Sequence, residues 1–205
     1  MGSSYFKNLG WVQLNGKWEP AVLFTLVYLL IVVFASATVE LIPFVGVVLS
    51  SLVTIALYPM QYSYTVAFLN NKRSGEPIKV ESLFDGYNDW QRIILTNLLS
   101  NIYILLWTLL LVVPGIIKSI AYSQINYILK DNPEIGADAA IELSSAMMHG
   151  HKWRYFKLAL SFIGWVLLVI LTLGIVALWY TPYFSATAAN FYEYVKADYY
   201  KRIEA

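Results

Sequence analysis

Cysteine is absent from this chain, charge is scarce, and histidine occurs only twice. Each gap removes a class of function. Without cysteine there is no disulfide framework, no thiolate nucleophile and no thiolate-held metal. The two histidines, His149 and His151, are too few for a metal site of three or four converging ligands. Both flank a basic cluster, so both read as interfacial surface side chains. Only 13% of the residues are charged, where a soluble domain carries about 25%. The net charge is +1, so no basic field invites nucleic acid. Ser-His pairing, paired carboxylates, HExxH and a Gly-rich phosphate loop are missing too, so neither enzyme activity nor a cofactor is expected. No Asp or Glu stands in the middle of an apolar stretch, where proton-coupled transporters usually keep one.

What is there is apolar: 59% of 205 residues are hydrophobic and the mean hydropathy is +0.58. These values describe an integral membrane protein, and the apolar residues fall into six stretches. Residues 21–42 and 44–69 come first, with Glu40 the only charge between their limits. One helix over both would be about 74 Å long against a hydrocarbon core of about 30 Å, so the chain must turn near Pro43. Residues 93–113 and 116–129 follow, punctuated by Pro114-Gly115. Residues 158–192 carry no charge and are again too long for one crossing; Leu173-Gly174 is the natural turn. An apolar stretch at 21–37 ending in Ala35-Ser36-Ala37 also resembles a signal peptide, but the hydrophobic run continues past it.

Three shorter segments are amphipathic. Residues 5–20 place Trp11 and Trp18 near Lys7 and Lys17, as at a headgroup boundary. Val80, Leu83 and Phe84 give a small apolar face to the polar stretch 70–91. Residues 137–148 read as a surface helix with the stripe Ala137, Ile141, Ser144 and Met148; Asp138, Glu142, Ser145 and His149 lie opposite.

The punctuation recurs. Asn15-Gly16 with Trp18, Asp85-Gly86 with Trp90, and His149-Gly150 with Trp153 each precede a hairpin. Tyr58, Tyr122 and Tyr180 stand at matching points on the returning arms. The expected fold is therefore all-α: a polytopic membrane bundle of six transmembrane helices. They form three pseudo-repeated hairpins, about 5–70, 80–131 and 137–196, joined to short cytoplasmic interfacial helices in a single domain spanning 1–205. The even spans carry the polar side chains and are expected inside, the odd spans against lipid. Lys118 is the one exception among the 14 Lys and Arg to a single-sided distribution. The positive-inside rule then puts both termini in the cytoplasm.

Three sets of residues could carry function. Tyr58, Gln61, Tyr62, Tyr122, Asn126, Tyr180 and Tyr183 could line a polar cavity or fill a hydrogen-bonded core. Glu40 and Lys118, the charges nearest the external ends, could pair at a mouth or each snorkel alone. Lys152, Arg154 and Lys157 with Trp153 could contact anionic lipid or act as a plain anchor.

The runs Asp131-Asn132-Pro133, Gly150-His151-Lys152-Trp153-Arg154 and Leu160-Ser161-Phe162-Ile163-Gly164-Trp165 carry a resemblance. So do Thr172-Leu173-Gly174-Ile175, Trp179 and Pro182-Tyr183, with Pro114-Gly115 and Leu83-Phe84-Asp85-Gly86 upstream. Together they resemble a bacterial family of six-span membrane proteins known only as domain of unknown function nine-seven-five. The resemblance implies a bacterial cell membrane and multi-pass insertion. It brings no activity and no functional residues. Two expectations follow for function: binding or passage of a lipid-like or hydrophobic-peptide amphiphile through a Tyr-rich cleft, or a scaffold for another membrane protein. The second would dock through residues 137–148 and the surroundings of Phe84. Membrane lipids are the expected partners, with a membrane-protein partner or a second copy of the chain as the alternative.

Overall fold

The computed structural model describes residues 2–40 and 46–204, and among them every regular element is helical. The elements are α1 (Ser3–Leu14), α2 (Trp18–Glu40), α3 (Gly46–Ala56), α4 (Tyr58–Ser74), a 3-10 helix (Val80–Asp89), α5 (Trp90–Leu110), α6 (Val112–Ala121), α7 (Ile125–Asp131), α8 (Ala137–Met147), α9 (Lys152–Leu160), α10 (Ile163–Leu171) and α11 (Ala177–Glu204). Among the described residues, three helical stretches are long and apolar enough to cross a membrane: Trp18–Ala37, Val80–Leu110 and Lys152–Leu171. Each is an outgoing arm. The returning arms are broken or polar. The chain breaks at Leu57 because Pro59 follows in the first turn of α4 and has no N–H to give. It breaks again at Tyr122–Gln124, between α6 and α7.

The turn after α5 falls a few residues earlier than the Pro114-Gly115 pair suggests. Leu111 is extended, at φ −160°, and α6 starts at Val112. Pro114 and Gly115 lie inside the first turn of α6, where a missing N–H costs nothing because those donors have no helical partner. The turn at Leu173-Gly174 is present, with both residues at positive φ. The turn expected near Pro43 lies outside the described residues.

The core sits on the returning arms. Met60, Tyr64, Phe68 and Leu69 of α4, with Ala186, Phe191 and Tyr192 of α11, are buried. By contrast α10 has no buried residue, and the far half of α5 leaves Leu105, Leu109 and Leu110 exposed. Helix α1 packs on α11, the 3-10 helix on α4, and α8 on α7. Small residues allow each approach. A Cβ on Gly10 would fall 2.4 Å from the Thr187 hydroxyl, and one on Gly86 would fall 2.2 Å from the Pro59 carbonyl. The Ser144 hydroxyl of α8 donates to the Ala121 carbonyl at 2.7 Å. The buried face of α8 is Ala140, Ile141, Ser144 and Met147, while Asp138 and Glu142 are exposed. That stripe is turned into the bundle, so it is not free to dock a partner.

Polar side chains tie the arms together. Gln13 donates to the Phe68 carbonyl at 2.8 Å and to Asn71 Oδ1 at 2.9 Å, and accepts from Asn190 at 2.6 Å. The ends of α4 and α7 meet the second half of α11 at Asp131. Arg73 grips its carboxylate with two bonds of 2.6 and 2.8 Å; Lys196 adds one at 2.6 Å and the Tyr192 hydroxyl one at 2.7 Å. Arg73 also donates to Glu193 at 2.6 Å. Burial alone would raise the Asp131 carboxyl, but the bonds from Arg73, Lys196 and Tyr192 together outweigh it. They hold that carboxyl well below the usual carboxylate range, and Asp131 in turn raises the Arg73 guanidinium. From α5, Arg92 donates to the Leu129 and Asn132 carbonyls at 3.2 and 3.0 Å, satisfying the open end of α7.

Candidate functional site

A cleft of about 460 Å³ opens between α4, α5 and the α6–α7 arm. It contains Tyr58 and Gln61 from α4, and Tyr122 and Asn126 from the third element, four of the residues singled out in the sequence. The opposite wall is α5, which the sequence assigned to lipid. Asn97, Ser100 and Asn101 face the cleft from there, and Ser119 and Ser123 join from the α6–α7 arm. Spacing was the available signal: positions 97, 100, 101 and 104 share one helical face, and three of the four are polar.

The walls are joined by amides and hydroxyls. Asn101 donates to the Tyr58 hydroxyl at 2.9 Å. Asn97 donates to Asn126 Oδ1 at 3.3 Å and to its own helix's Ile93 carbonyl at 2.9 Å. Ser119 and Ser123 each return a bond to the carbonyl three residues back, at 2.8 Å. Gln61 is exposed and makes no side-chain hydrogen bond among the described residues. No charged side chain lines the cleft. Such a lining offers donors and acceptors without a fixed charge, which suits a neutral polar group.

The other tyrosines go elsewhere. Tyr62 is buried in α4 away from the cleft. Tyr183 is buried with its ring centroid 5.2 Å from Phe162 and 5.9 Å from Trp11 and from Trp165. Tyr180 is half-buried against Phe162 and Phe184. These belong to an aromatic cluster beside a second cavity, about 500 Å³, walled by Trp11, Trp18, Trp165 and Trp179. Of the seven residues, four line the cleft, Tyr180 and Tyr183 join the aromatic cluster, and Tyr62 is in neither. Sequence periodicity could not separate them, since it fixes a side chain's angle on its own helix and not the neighbour it meets.

Lys118 lies 5.0 Å from the Trp107 ring centroid and 5.7 Å from that of Tyr122, and makes no ion pair among the described residues. The side chain of Glu40, its expected partner, lies outside the described residues. The three basic residues of α9 separate as well. Arg154 donates to the Tyr194 hydroxyl and sits 5.2 Å from that ring. Lys157 is exposed. Lys152 stands at the rim of an apolar groove.

His151 departs from the surface reading. It is buried, with Nε2 2.9 Å from Asp198 Oδ2, and Arg202 holds the same carboxylate at 3.1 Å. His151, then Arg202, lower the Asp198 carboxyl from its ordinary value. The reason is topological: α11 runs back past the start of α9 and covers the imidazole, a pairing 47 positions apart in sequence. His149 is exposed as expected.

No curated protein and no solved structure matches the chain. Residues 108–199, from the end of α5 into the last turns of α11, match the family described as Protein of unknown function (DUF975).

Proposed function

We propose that this is a multi-pass membrane protein that receives the polar part of an amphiphile, a lipid or a hydrophobic peptide, in the cleft between α4, α5 and the α6–α7 arm. One observation carries the reading: an uncharged, amide-lined and hydroxyl-lined recess flanked by α5 and α6, whose outer faces expose Leu105, Leu109, Ile116 and Ile117. An amide or hydroxyl set in a membrane is costly unless paired, so a recess of this kind suits a site where a polar partner enters.

The proposed frame is six spans in three repeats, in a bacterial plasma membrane with both termini cytoplasmic. The cyclic packing of α1 on α11, the 3-10 helix on α4 and α8 on α7 favours it, because each short helix leans on the returning arm of the preceding repeat. Tyr58, Tyr122 and Tyr180 favour it too: the first starts α4 after a break, the second sits in a break, and the third is two residues before Pro182 within α11. One contact asks for more than upright spans. Val113 and Ile116 of α6 share a groove with Lys152 of α9, although the basic-residue pattern sets the turn before α6 and Lys152 on opposite faces. A steep tilt of the α5–α6 hairpin reconciles the two.

The test is a photo-crosslinking amino acid at position 104, on the cleft wall, in growing cells. The expected product is a cross-linked amphiphile, identified by mass spectrometry. Asn101→Leu removes the bond to Tyr58 and narrows the recess, and should lower the yield about tenfold, as loss of one or two bonds to a polar ligand does. Equal yields, or no cross-linked amphiphile, would remove the reading.

A scaffold role has one observation in its favour. Phe84, Tyr87 and Trp90 are 53%, 40% and 50% exposed at the 3-10 helix, an aromatic surface outside the cleft. Cross-links from position 84 to a membrane protein, with none from position 104 to an amphiphile, would favour it.

A further inference from the structure

We infer that the groove between α6 and α9 holds an acyl chain of an anionic phospholipid, with the Lys152 ammonium on its phosphate. The groove has a volume of about 500 Å³, within the about 300–1,000 Å³ of small-molecule sites. One wall is Val113, Ile116, Ile117 and Ile120 of α6. The other is Trp153 and Phe156 of α9, whose rings stack at 5.3 Å with 20° between planes. Lys152 is the one charged side chain of the lining.

Charge complementarity selects the occupant. Lys152 makes no hydrogen bond or ion pair among the described residues. Arg154, two positions on, is turned away and occupied by Tyr194. A half-buried ammonium over an apolar slot matches an amphiphile with a negative oxygen at one end and a hydrocarbon tail, and Trp153 beside it is suited to the headgroup boundary. A zwitterionic lipid would fill the slot equally but would bring its own cation to the same place. The site is separate from the cleft. Helix α6 partitions the two, with Ser119 on the cleft side and Ile116, Ile117 and Ile120 on the groove side.

The experiment uses the full chain, delipidated in detergent and offered equimolar phosphatidylglycerol and phosphatidylcholine of identical chains. Retained lipid is read by native mass spectrometry. The wild type should retain the anionic lipid preferentially. Lys152→Gln should keep a bound lipid but lose about fivefold of that preference, the value of one basic residue at a lipid surface. Ile117→Trp fills the slot and should abolish the anionic preference of the retained lipid, while glycerol 3-phosphate, a headgroup without a tail, should not compete. Asn101→Leu should leave the preference as it is, so that failure of the cleft reading does not imitate failure of this one. A wild type without preference, an unchanged Lys152→Gln, or an anionic preference kept by Ile117→Trp would each overturn the assignment and leave the groove an ordinary lipid-facing surface. Competition by glycerol 3-phosphate would show a free phosphate site in place of a lipid site.

Discussion

Asp131→Asn is the most informative single change in this fold. Asp131 ties three helices together at once: the end of α4 through Arg73, its own α7, and α11 through Tyr192 and Lys196. Its side chain is 10% exposed, so an amide there cannot recruit water freely. Removing one partner of a buried ion pair costs about 3–5 kcal/mol. Solvent reaches Arg73 and Lys196, 36% and 28% exposed, and Arg73 keeps Glu193, so screening lowers the expected loss to about 2 kcal/mol. For a chain of this size that is about 4–8 °C in the unfolding midpoint. The assay is thermal unfolding of the detergent-solubilised protein by circular dichroism, with Arg73→Met and the double variant closing a cycle. The double variant should cost less than the two single changes added.

Acid gives a second handle on the same residue. The folded Asp131 has a depressed pKa, so its contribution is fully present above the unfolded value of about 3.9. It is lost as pH falls from there through the folded value. The gap between wild type and Asp131→Asn should therefore be level at neutral pH and shrink below about pH 4. A midpoint for Asp131→Asn within 1 °C of wild type at pH 7, as an order-of-magnitude bound from the same scaling, would refute the account of Asp131 as the junction of the arms.

Gly10→Val and Gly86→Val should each destabilise by about 1–3 kcal/mol, because the added carbons meet Thr187 and the Pro59 carbonyl; a thermal midpoint unchanged in either would break the equivalence of the two packing sites. Cysteines introduced at Ser74, Asp138 and Glu204 should be shielded from an impermeant thiol reagent in intact cells. Labelling of any one from outside would reverse or break the proposed orientation.

Much of the architecture could be read from residue order because it depends on local chemistry. Apolar runs, their lengths and the Pro and Gly that interrupt them decide where helices form and end, and those terms act within a few residues. The stripe Ile141, Ser144 and Met148 was legible for the same reason, and so was the turn at Leu173-Gly174. The position of the α5–α6 turn was missed by a few residues because Pro is as much at home in the first turn of a helix as after the last.

Partners across the bundle were a different matter. Helical periodicity assigns Asn97 and Asn101 to one face of α5, yet only the approach of Tyr58 and Asn126 turns that face into the wall of a cleft. Arg73 and Asp131 stand 58 positions apart, and His151 and Asp198 47. Nothing local distinguishes a histidine bound for the surface from one that a later helix will cover. Tyr58 and Tyr183 look alike along the chain, but one lines the cleft and the other is buried among Phe162 and tryptophans. Sequence by itself determined an all-helical, largely apolar chain; tertiary packing decided which polar residues meet, because side-chain angle is set within a helix and neighbourhood is set between helices.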